Sequence, residues 1–151
     1  CEVNRGRTKM IRKVTEKDFP RIYELGKLLH ENYENLYNLE ELTKKEYFKI
    51  LVAEESKNIV GFLMYTDLDG MIDIMDIVVD NSYRRQKIGS LLMDEMITNS
   101  KEDSKFYLEV NVKNEPAIQM YEKFGFKKIH TRKKYYGEED ALIMERTNEN
   151  E

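Results

Sequence analysis

The sequence has no tryptophan and very little cysteine, histidine or proline. Its single cysteine, Cys1, excludes an internal disulfide, and its terminal position makes it a poor candidate for a nucleophile. The two histidines, His30 and His130, lie far apart in the chain and have no cysteine or carboxylate at metal-ligand spacing. We therefore expect no metal site.

Long hydrophobic runs are also missing. No apolar stretch approaches the roughly 18–20 residues that cross a bilayer, and the N-terminal residues contain no signal-peptide core. We therefore expect a cytoplasmic protein without membrane contact. Residues 1–9 are expected to be disordered or to be an addition to the natural chain, with Met10 as a possible true start.

No excess of positive charge is present. The 25 Lys and Arg residues against 29 Asp and Glu residues give a formal net charge of −4, which argues against a general nucleic-acid surface. With 151 residues and 40% hydrophobic content, the chain suits one domain with one core. We place that domain at residues 10–147, followed by a polar tail at 148–151, and expect a monomer or weak homodimer.

A strand, a basic loop and a helix are predicted in succession between Ile74 and Ser100. The apolar run of the strand stops at residue 80, the cations Arg84, Arg85 and Lys87 follow, and apolar residues then recur at helical spacing. A helix that begins directly after a loop presents unpaired N–H groups, and flanking cations make such a site suitable for phosphate. The same pattern is equally typical of an ordinary α/β connection.

The rest of the sequence predicts further helices and strands. Thr15 and Asp18 form a capping-box pattern before a first amphipathic helix, and Thr43 with Glu46 forms a second one before a short helix. The Tyr-rich connection at residues 31–41 is either a substrate wall or a loop that covers the core. Strands are predicted at residues 11–14, 50–54, 59–66, 71–79, 106–112, 126–135 and 141–146.

The helix after the fifth predicted strand has the clearest boundaries. Asn114 precedes it as a cap, Pro116 lies in its first turn, and Gly125 follows its last apolar residue. The resulting order is β-α-α-β-β-β-α-β-α-β-β, which predicts a mixed α/β or α+β layer structure.

This order and three motifs resemble the GNAT superfamily of acetyl-CoA-dependent N-acetyltransferases, over roughly residues 11–146. The loop at residues 84–89 resembles the family's pattern Gln/Arg-x-x-Gly-x-Gly/Ala, with Lys87 in place of the first glycine. Residues 108–126, LEVNVKNEPAIQMYEKFGF, resemble its more specific signature. Residues 135–146, YYGEEDALIMER, are similar to the tail of the RimI type, which acetylates the N-terminal alanine of a small-subunit ribosomal protein.

The resemblance implies a single-domain GNAT fold, with a mixed, mostly antiparallel sheet of six to seven strands flanked by about four helices. It also implies acetyl-CoA as the cosubstrate. Lys87 is expected to be tolerated if its backbone is already near helical φ and ψ, and its ammonium would add charge for a phosphate.

The catalytic roles that the resemblance implies fall on Glu109 as general base and on Tyr121 as general acid. A phenol with a pKa of about 10 can protonate a thiolate whose conjugate acid has a pKa of about 8.5. Each residue also has an ordinary interpretation. Glu109 alternates with apolar residues on what could be a solvated strand face, and Tyr121 falls on the apolar stripe of its helix.

The cofactor residues that the resemblance implies form three groups. The strand backbone would pair with the pantetheine arm, the loop and helix start would hold the pyrophosphate, and an asparagine would add a contact while also capping its helix. The basic run at residues 127–134 is interpreted as a solvated edge, and Tyr135 and Tyr136 as either a peptide channel or hairpin packing. The expected contacts are Ile77, Val78, Val79, Arg84, Arg85, Gln86, Lys87, Ile88, Gly89, Ser90 and Asn114.

The acceptor that the resemblance favours is the N-terminal α-amine of a protein. Such an amine, with a pKa of about 7.7–8, is partly neutral near pH 7, whereas a lysine amine with a pKa of about 10.4 is almost wholly charged. Two alternatives stay open: acetylation of a small-molecule amine or a protein lysine, and a non-catalytic acyl-CoA-binding domain.

Overall fold

The computed structural model describes residues 9–84, 86–134 and 139–148. Within these residues, seven strands and five α-helices follow one another. The strands are β1 (Lys9–Lys13), β2 (Phe48–Glu55), β3 (Asn58–Leu68), β4 (Met71–Val79), β5 (Lys105–Asn111), β6 (Lys127–Arg132) and β7 (Ala141–Thr147). The helices are α1 (Phe19–Gly26), α2 (Tyr33–Leu36), α3 (Leu39–Leu42), α4 (Ile88–Thr98) and α5 (Glu115–Lys123).

The strands form one sheet in the order β1-β2-β3-β4-β5-β7-β6. Strands β1 and β2, β2 and β3, β5 and β7, and β6 and β7 pair antiparallel, whereas β4 and β5 pair in parallel. The parallel pairing joins Met71–Asp73 to Lys105–Tyr107. The predicted mixed, mostly antiparallel GNAT sheet is therefore confirmed, with seven strands and, within the described ranges, five helices.

Two short hairpin turns connect β2, β3 and β4. Ser56 and Lys57 have φ values of 51° and 71°, and Asp69 and Gly70 have values of 53° and 95°. Two successive residues with positive φ are typical of the turn whose twist matches that of antiparallel strands, and Asp-Gly is a favoured pair there. The strands predicted at residues 50–54, 59–66 and 71–79 therefore lie next to one another in the sheet.

The chain divides into two compact units. The first comprises residues 1–66 and 75–99, and the second comprises residues 67–74 and 100–151. In the first unit, helices α1 to α3 pack their apolar side chains against β2, β3 and the end of β4, through a core of Ile22, Leu25, Tyr33, Leu39, Phe48, Ile50, Val52, Ile59, Phe62, Met64 and Val78. In the second unit, the ring of Phe126 contacts those of Phe106 and Tyr121.

The entry into the first helical region follows the predicted capping box. The Thr15 N–H donates to Asp18 Oδ2 at 2.8 Å, and the Thr15 hydroxyl contacts the same oxygen at 3.2 Å. Both Asp18 oxygens also accept from the Arg12 guanidinium, at 2.9 and 3.0 Å. Helix α1 then continues to Gly26, where an added Cβ would lie 2.1 Å from the ring of Tyr33.

The second predicted capping box is wrong. Thr43 follows helix α3 rather than preceding a helix, and its hydroxyl donates to the Leu39 carbonyl at 2.7 Å. The helix begins earlier because Asn38 caps it, with Oδ1 accepting from the Glu41 N–H at 3.3 Å. The chain turns after Thr43 and enters β2 at Phe48.

Some predictions fall on residues outside the described ranges. These are residues 1–8, Arg85, residues 135–138 with Tyr135 and Tyr136, and residues 149–151. Within the described residues, no helix is both long enough and apolar enough to cross a membrane.

The pairing of Arg12 with Asp18 makes part of the stability depend on pH. Burial by itself would raise the pKa of the Asp18 carboxyl, but the hydrogen bonds from Arg12 and Thr15 outweigh it and hold that pKa below its ordinary value. This stabilisation is therefore full above the unfolded-state pKa of about 3.9 and is lost as the pH falls through the folded-state pKa. We expect Asp18→Asn to lower the free energy of unfolding by about 2–3 kcal/mol at pH 7.

Urea unfolding at pH 7 and pH 3 checks this expectation. The difference between wild type and Asp18→Asn should shrink at the lower pH, because the wild-type carboxylate is being neutralised. Glu24→Gln is the control, because Glu24 pairs with Arg21 at an exposed site and should contribute less than about 1 kcal/mol. A difference that stayed constant with pH would contradict the assigned ion pair.

Candidate active site

The expected phosphate-binding loop connects β4 to α4 in the first unit. Asp80 begins the loop, with Oδ1 accepting from the Ser82 N–H at 2.9 Å and Oδ2 from Arg21 at 2.6 Å. Arg84 is exposed, and its Nε donates to the Val79 carbonyl at 3.4 Å, so its side chain turns back toward the strand. Gln86 is half-buried and Lys87 is exposed.

The backbone at Lys87 differs from the expectation. Its φ of 64° and ψ of 23° place it in the left-handed region, not near the right-handed helical values under which a side chain would be tolerated without strain. A non-glycine residue in this region costs about 1–2 kcal/mol, because Cβ approaches the carbonyl oxygen. A glycine at this position in the family pattern has the same physical explanation.

Helix α4 begins without a side-chain cap. The first intrahelical hydrogen bond runs from the Leu91 N–H to the Lys87 carbonyl at 3.0 Å. The N–H groups of Ile88, Gly89 and Ser90 therefore have no carbonyl acceptor within the helix. Ile88 is buried, whereas Gly89 and Ser90 are half-buried. Backbone donors at the positive end of a helix of 11 residues, next to Lys87, suit an anionic group such as a pyrophosphate.

The expected pantetheine residues lie at the end of β4. Val78 is buried, whereas Ile77 and Val79 are half-buried. All three follow the segment Met71–Asp73 that pairs with β5. Gly61 of β3 allows close packing here, because an added Cβ would lie 2.9 Å from the Val78 carbonyl oxygen and 3.2 Å from Ile88.

Glu109 lies on β5 in the second unit and alternates with buried apolar neighbours, as predicted. Its side chain is 38% exposed, but it is not simply solvated. Oε1 lies 3.4 Å from Nε of Arg132, and Oε2 lies 3.2 Å from Nζ of Lys134. Interpreting the basic run as a solvated edge therefore missed two cations that pair with the candidate base, although the exposure of every β6 residue fits that interpretation.

Tyr121 and Asn114 lie on and before α5 in the same unit. Tyr121 is 6% exposed, and its ring centroid lies 5.8 Å from that of Phe126, so the predicted core packing is confirmed. Asn114 caps the helix as predicted, with Oδ1 accepting from the Ala117 N–H at 3.3 Å. The roles of Glu109 and Tyr121 in proton transfer, and of Asn114 in cofactor contact, stay predictions.

The carboxyl group of Asp76 was not predicted from the sequence to be part of a site. Asp76 of β4 accepts a hydrogen bond from the Tyr33 hydroxyl at 2.7 Å. Burial raises the pKa of the Asp76 carboxyl, against the opposing effects of Tyr33, His30 and Tyr37. One sequence signal was present: Asp76 interrupts an apolar strand at a position in phase with the buried residues Ile72 and Val78.

Comparison with known proteins assigns the family. The model of the acetyltransferase (GNAT) family matches residues 9–126. The chain belongs to the GNAT acetyltransferase family. The predicted enzyme class, an N-acetyltransferase, is thereby confirmed. Among the described residues of this acetyltransferase, no group of three His, Cys, Asp or Glu side chains is arranged to hold a metal ion.

Individual relatives share the sequence or the fold. The chain is 33% identical to the N-alpha-acetyltransferase of Saccharolobus solfataricus over 164 aligned positions that cover 97% of both chains. It is 36% identical over 77 positions to the ribosomal protein bS18-alanine N-acetyltransferase of Escherichia coli strain K12, covering 47% of this chain and 52% of that protein. The crystal structure of the Escherichia coli ribosomal-protein-S18-alanine N-acetyltransferase shares the fold, with a TM-score of 0.80, 24% identity and coverage of 93% and 94%.

The left-handed backbone at Lys87 predicts a difference in stability between two variants that both remove its charge. Lys87→Gly removes the strain, and Lys87→Ala keeps it, while both remove the ammonium. Because the extra chain entropy of glycine offsets part of the gain, we expect Lys87→Gly to be more stable than Lys87→Ala by about 0.5–1 kcal/mol. Urea unfolding of the two variants measures this difference. A less stable glycine variant would show that the left-handed conformation is not the one adopted in solution.

Proposed function

We propose that this chain transfers the acetyl group of acetyl-CoA to the N-terminal α-amine of a protein, with alanine as the favoured first residue and a ribosomal protein as a candidate substrate. The observation that carries the proposal is the similarity to an N-alpha-acetyltransferase across 97% of both chains. This similarity includes the helices before β2 and the last hairpin, where we expect acceptor choice to be determined. Similarity to an alanine N-acetyltransferase over part of the chain supports the choice of alanine.

Glu109 is proposed to take the proton of the acceptor amine, directly or through a water molecule. Its position on the exposed side of β5 leaves the carboxylate accessible, while Arg132 and Lys134 hold its orientation. Tyr121 is proposed to donate its phenolic proton to the departing thiolate, since a phenol is a suitable acid for a thiolate. When bound, acetyl-CoA would supply the activated thioester.

The first unit is proposed to hold the cofactor. Backbone groups of Ile77, Val78 and Val79 would pair with the amides of the pantetheine arm, and the free N–H groups at the start of α4 would bind the pyrophosphate. Arg84, Arg85, Gln86 and Lys87 would add charge and hydrogen bonds, and Asn114 a further contact. Among the described residues, Lys87 at the start of α4 makes no side-chain capping bond, and this supports the assignment of the first N–H groups to a ligand.

The test of the proposed function is acetyl-CoA turnover, measured as release of free thiol. One substrate is a short peptide with a free N-terminal alanine, and the other is the same peptide blocked at its N-terminus and containing a lysine. We expect turnover only with the free alanine. Turnover of the blocked peptide would indicate a lysine acetyltransferase. No turnover of either peptide, despite acetyl-CoA binding, would contradict the proposal and favour a small-molecule amine as the acceptor.

The roles of Glu109 and Tyr121 predict a specific kinetic pattern. Glu109→Gln and Tyr121→Phe should each lower kcat by about 100-fold or more, because each removes a positioned proton-transfer group. The affinity for acetyl-CoA should not change, and Phe at position 121 keeps the ring that packs against Phe126. Glu122→Gln is the matched control, because Glu122 is an exposed carboxylate on α5, the helix that contains Tyr121. Unchanged turnover in either test variant would remove that residue from the mechanism.

A further inference from the structure

Asp76 differs from three other carboxylates of the first unit because it has no arginine partner among the described residues. In the same unit, Asp18 and Glu54 each lie within 2.9 Å of the Arg12 guanidinium, and Asp80 lies 2.6 Å from that of Arg21. The groups that act on the Asp76 carboxyl are the hydroxyls of Tyr33 and Tyr37 and the imidazole of His30. Among the described residues, no lysine or arginine forms an ion pair with it.

The surroundings hold the Asp76 carboxyl in one position. The Tyr33 ring is completely buried and occupies the space above Gly26, where no Cβ would fit. Its hydroxyl therefore reaches Asp76 Oδ2 at 2.7 Å from a fixed direction. Tyr37 packs on Tyr33 with ring centroids 5.0 Å apart, and its carbonyl accepts from the Tyr23 hydroxyl at 2.9 Å.

The carboxyl is nevertheless within reach of a ligand. Asp76 is half-buried, and His30 at the edge of the cluster is exposed. Burial raises the pKa of the Asp76 carboxyl, against the opposing hydrogen bond from Tyr33. A cationic group from outside the chain would stabilise the ionised carboxylate. An oriented, partly desolvated carboxylate with a phenolic donor on one side is a suitable receptor for an ammonium group.

The position of Asp76 on β4 relates this receptor to the proposed reaction. Asp76 directly precedes Ile77, the first of the strand residues proposed to pair with the pantetheine arm, and lies about 10 Å along the strand from Val79. The proposed pyrophosphate site comes after the strand, at the start of α4. The reacting end of the cofactor would therefore lie on the Asp76 side of Ile77.

We propose that Asp76, oriented by Tyr33, is a specificity-determining residue that binds the acceptor's primary amine as its ammonium ion. This inference rests on the proposed function and adds the group that recognises the acceptor amine. Acceptors that carry a primary amine at the reacting end are selected over isosteric molecules without one. Asp76 transfers no proton in this role.

The test measures discrimination for the amine rather than turnover. The dissociation constants of two peptides are compared by calorimetry in the presence of CoA: one peptide has a free N-terminal alanine, and in the other a propionyl group replaces that alanine. Wild type should bind the amine at least about 10-fold more tightly, because a hydrogen bond to a charged group contributes that much. Asp76→Asn should reduce the ratio to about 1, with unchanged affinity for acetyl-CoA.

Two controls separate recognition from folding. Asn at position 76 still accepts from Tyr33 and removes a charge that burial disfavours. Because the folded-state pKa of Asp76 is raised, the carboxyl's contribution to stability is full below about pH 4 and is lost as the pH rises through that pKa. Asp76→Asn should therefore unfold at pH 7 at the wild-type temperature or above it. Asp73→Asn, at an exposed carboxylate of the same strand, should leave the ratio unchanged.

The outcomes separate this inference from the proposed function. If wild type acetylates the free alanine but Asp76→Asn keeps the wild-type ratio, the inference is overturned and the proposed function stands. If Asp76→Asn weakens both peptides equally, Asp76 only positions the Tyr-rich segment, and the inference is again overturned. If wild type neither binds nor acetylates either peptide, both proposals fail.

Discussion

The contact between Tyr33, Gly26 and Asp76 determines the arrangement of the first unit. The Tyr33 ring lies where any side chain at the end of α1 would collide with it, and its hydroxyl is bonded to β4. One side chain thus connects the first helix, the irregular segment after it and the strand proposed to bind the cofactor. The helices α2 and α3 have only four residues each and cannot be stable by themselves, so their position depends on such contacts.

The second unit has a corresponding feature in the register of its strands. Asn111 of β5 and Arg132 of β6 both lie opposite Ala141 of β7, so Arg132 is two residues out of line with Glu109 and lies two strands away, across β7. A long guanidinium side chain spans that diagonal distance and reaches Oε1. The orientation of the candidate base therefore depends on the strand order β5-β7-β6, in which the last strand of the chain lies between the other two.

These two features explain which parts of the molecule could be predicted. The bounds of β4 and α5 followed from local signals: an Asp-Gly turn before β4, and a capping asparagine and a terminal glycine around α5. The capping box at Thr43 failed because Asn38 provides a competing start four residues before Leu42. The partners of Glu109 and Asp76 arise from contacts between segments that are distant in sequence, and no local pattern contains them.

The proposed cofactor site and the proposed amine site differ in whether backbone groups or side chains recognise the ligand. The proposed cofactor site consists largely of N–H groups at a helix start and a strand edge, so it tolerates a change such as lysine for glycine at position 87 if the backbone keeps its path. Amine recognition by Asp76 would depend instead on one carboxyl group, the Tyr33 phenol that donates to it, and the glycine that leaves room for the Tyr33 ring. Asp76→Asn, which keeps an acceptor for the Tyr33 hydroxyl, would alter the choice of acceptor. Cofactor binding would therefore depend mainly on backbone groups, whereas acceptor choice would depend on individual side chains.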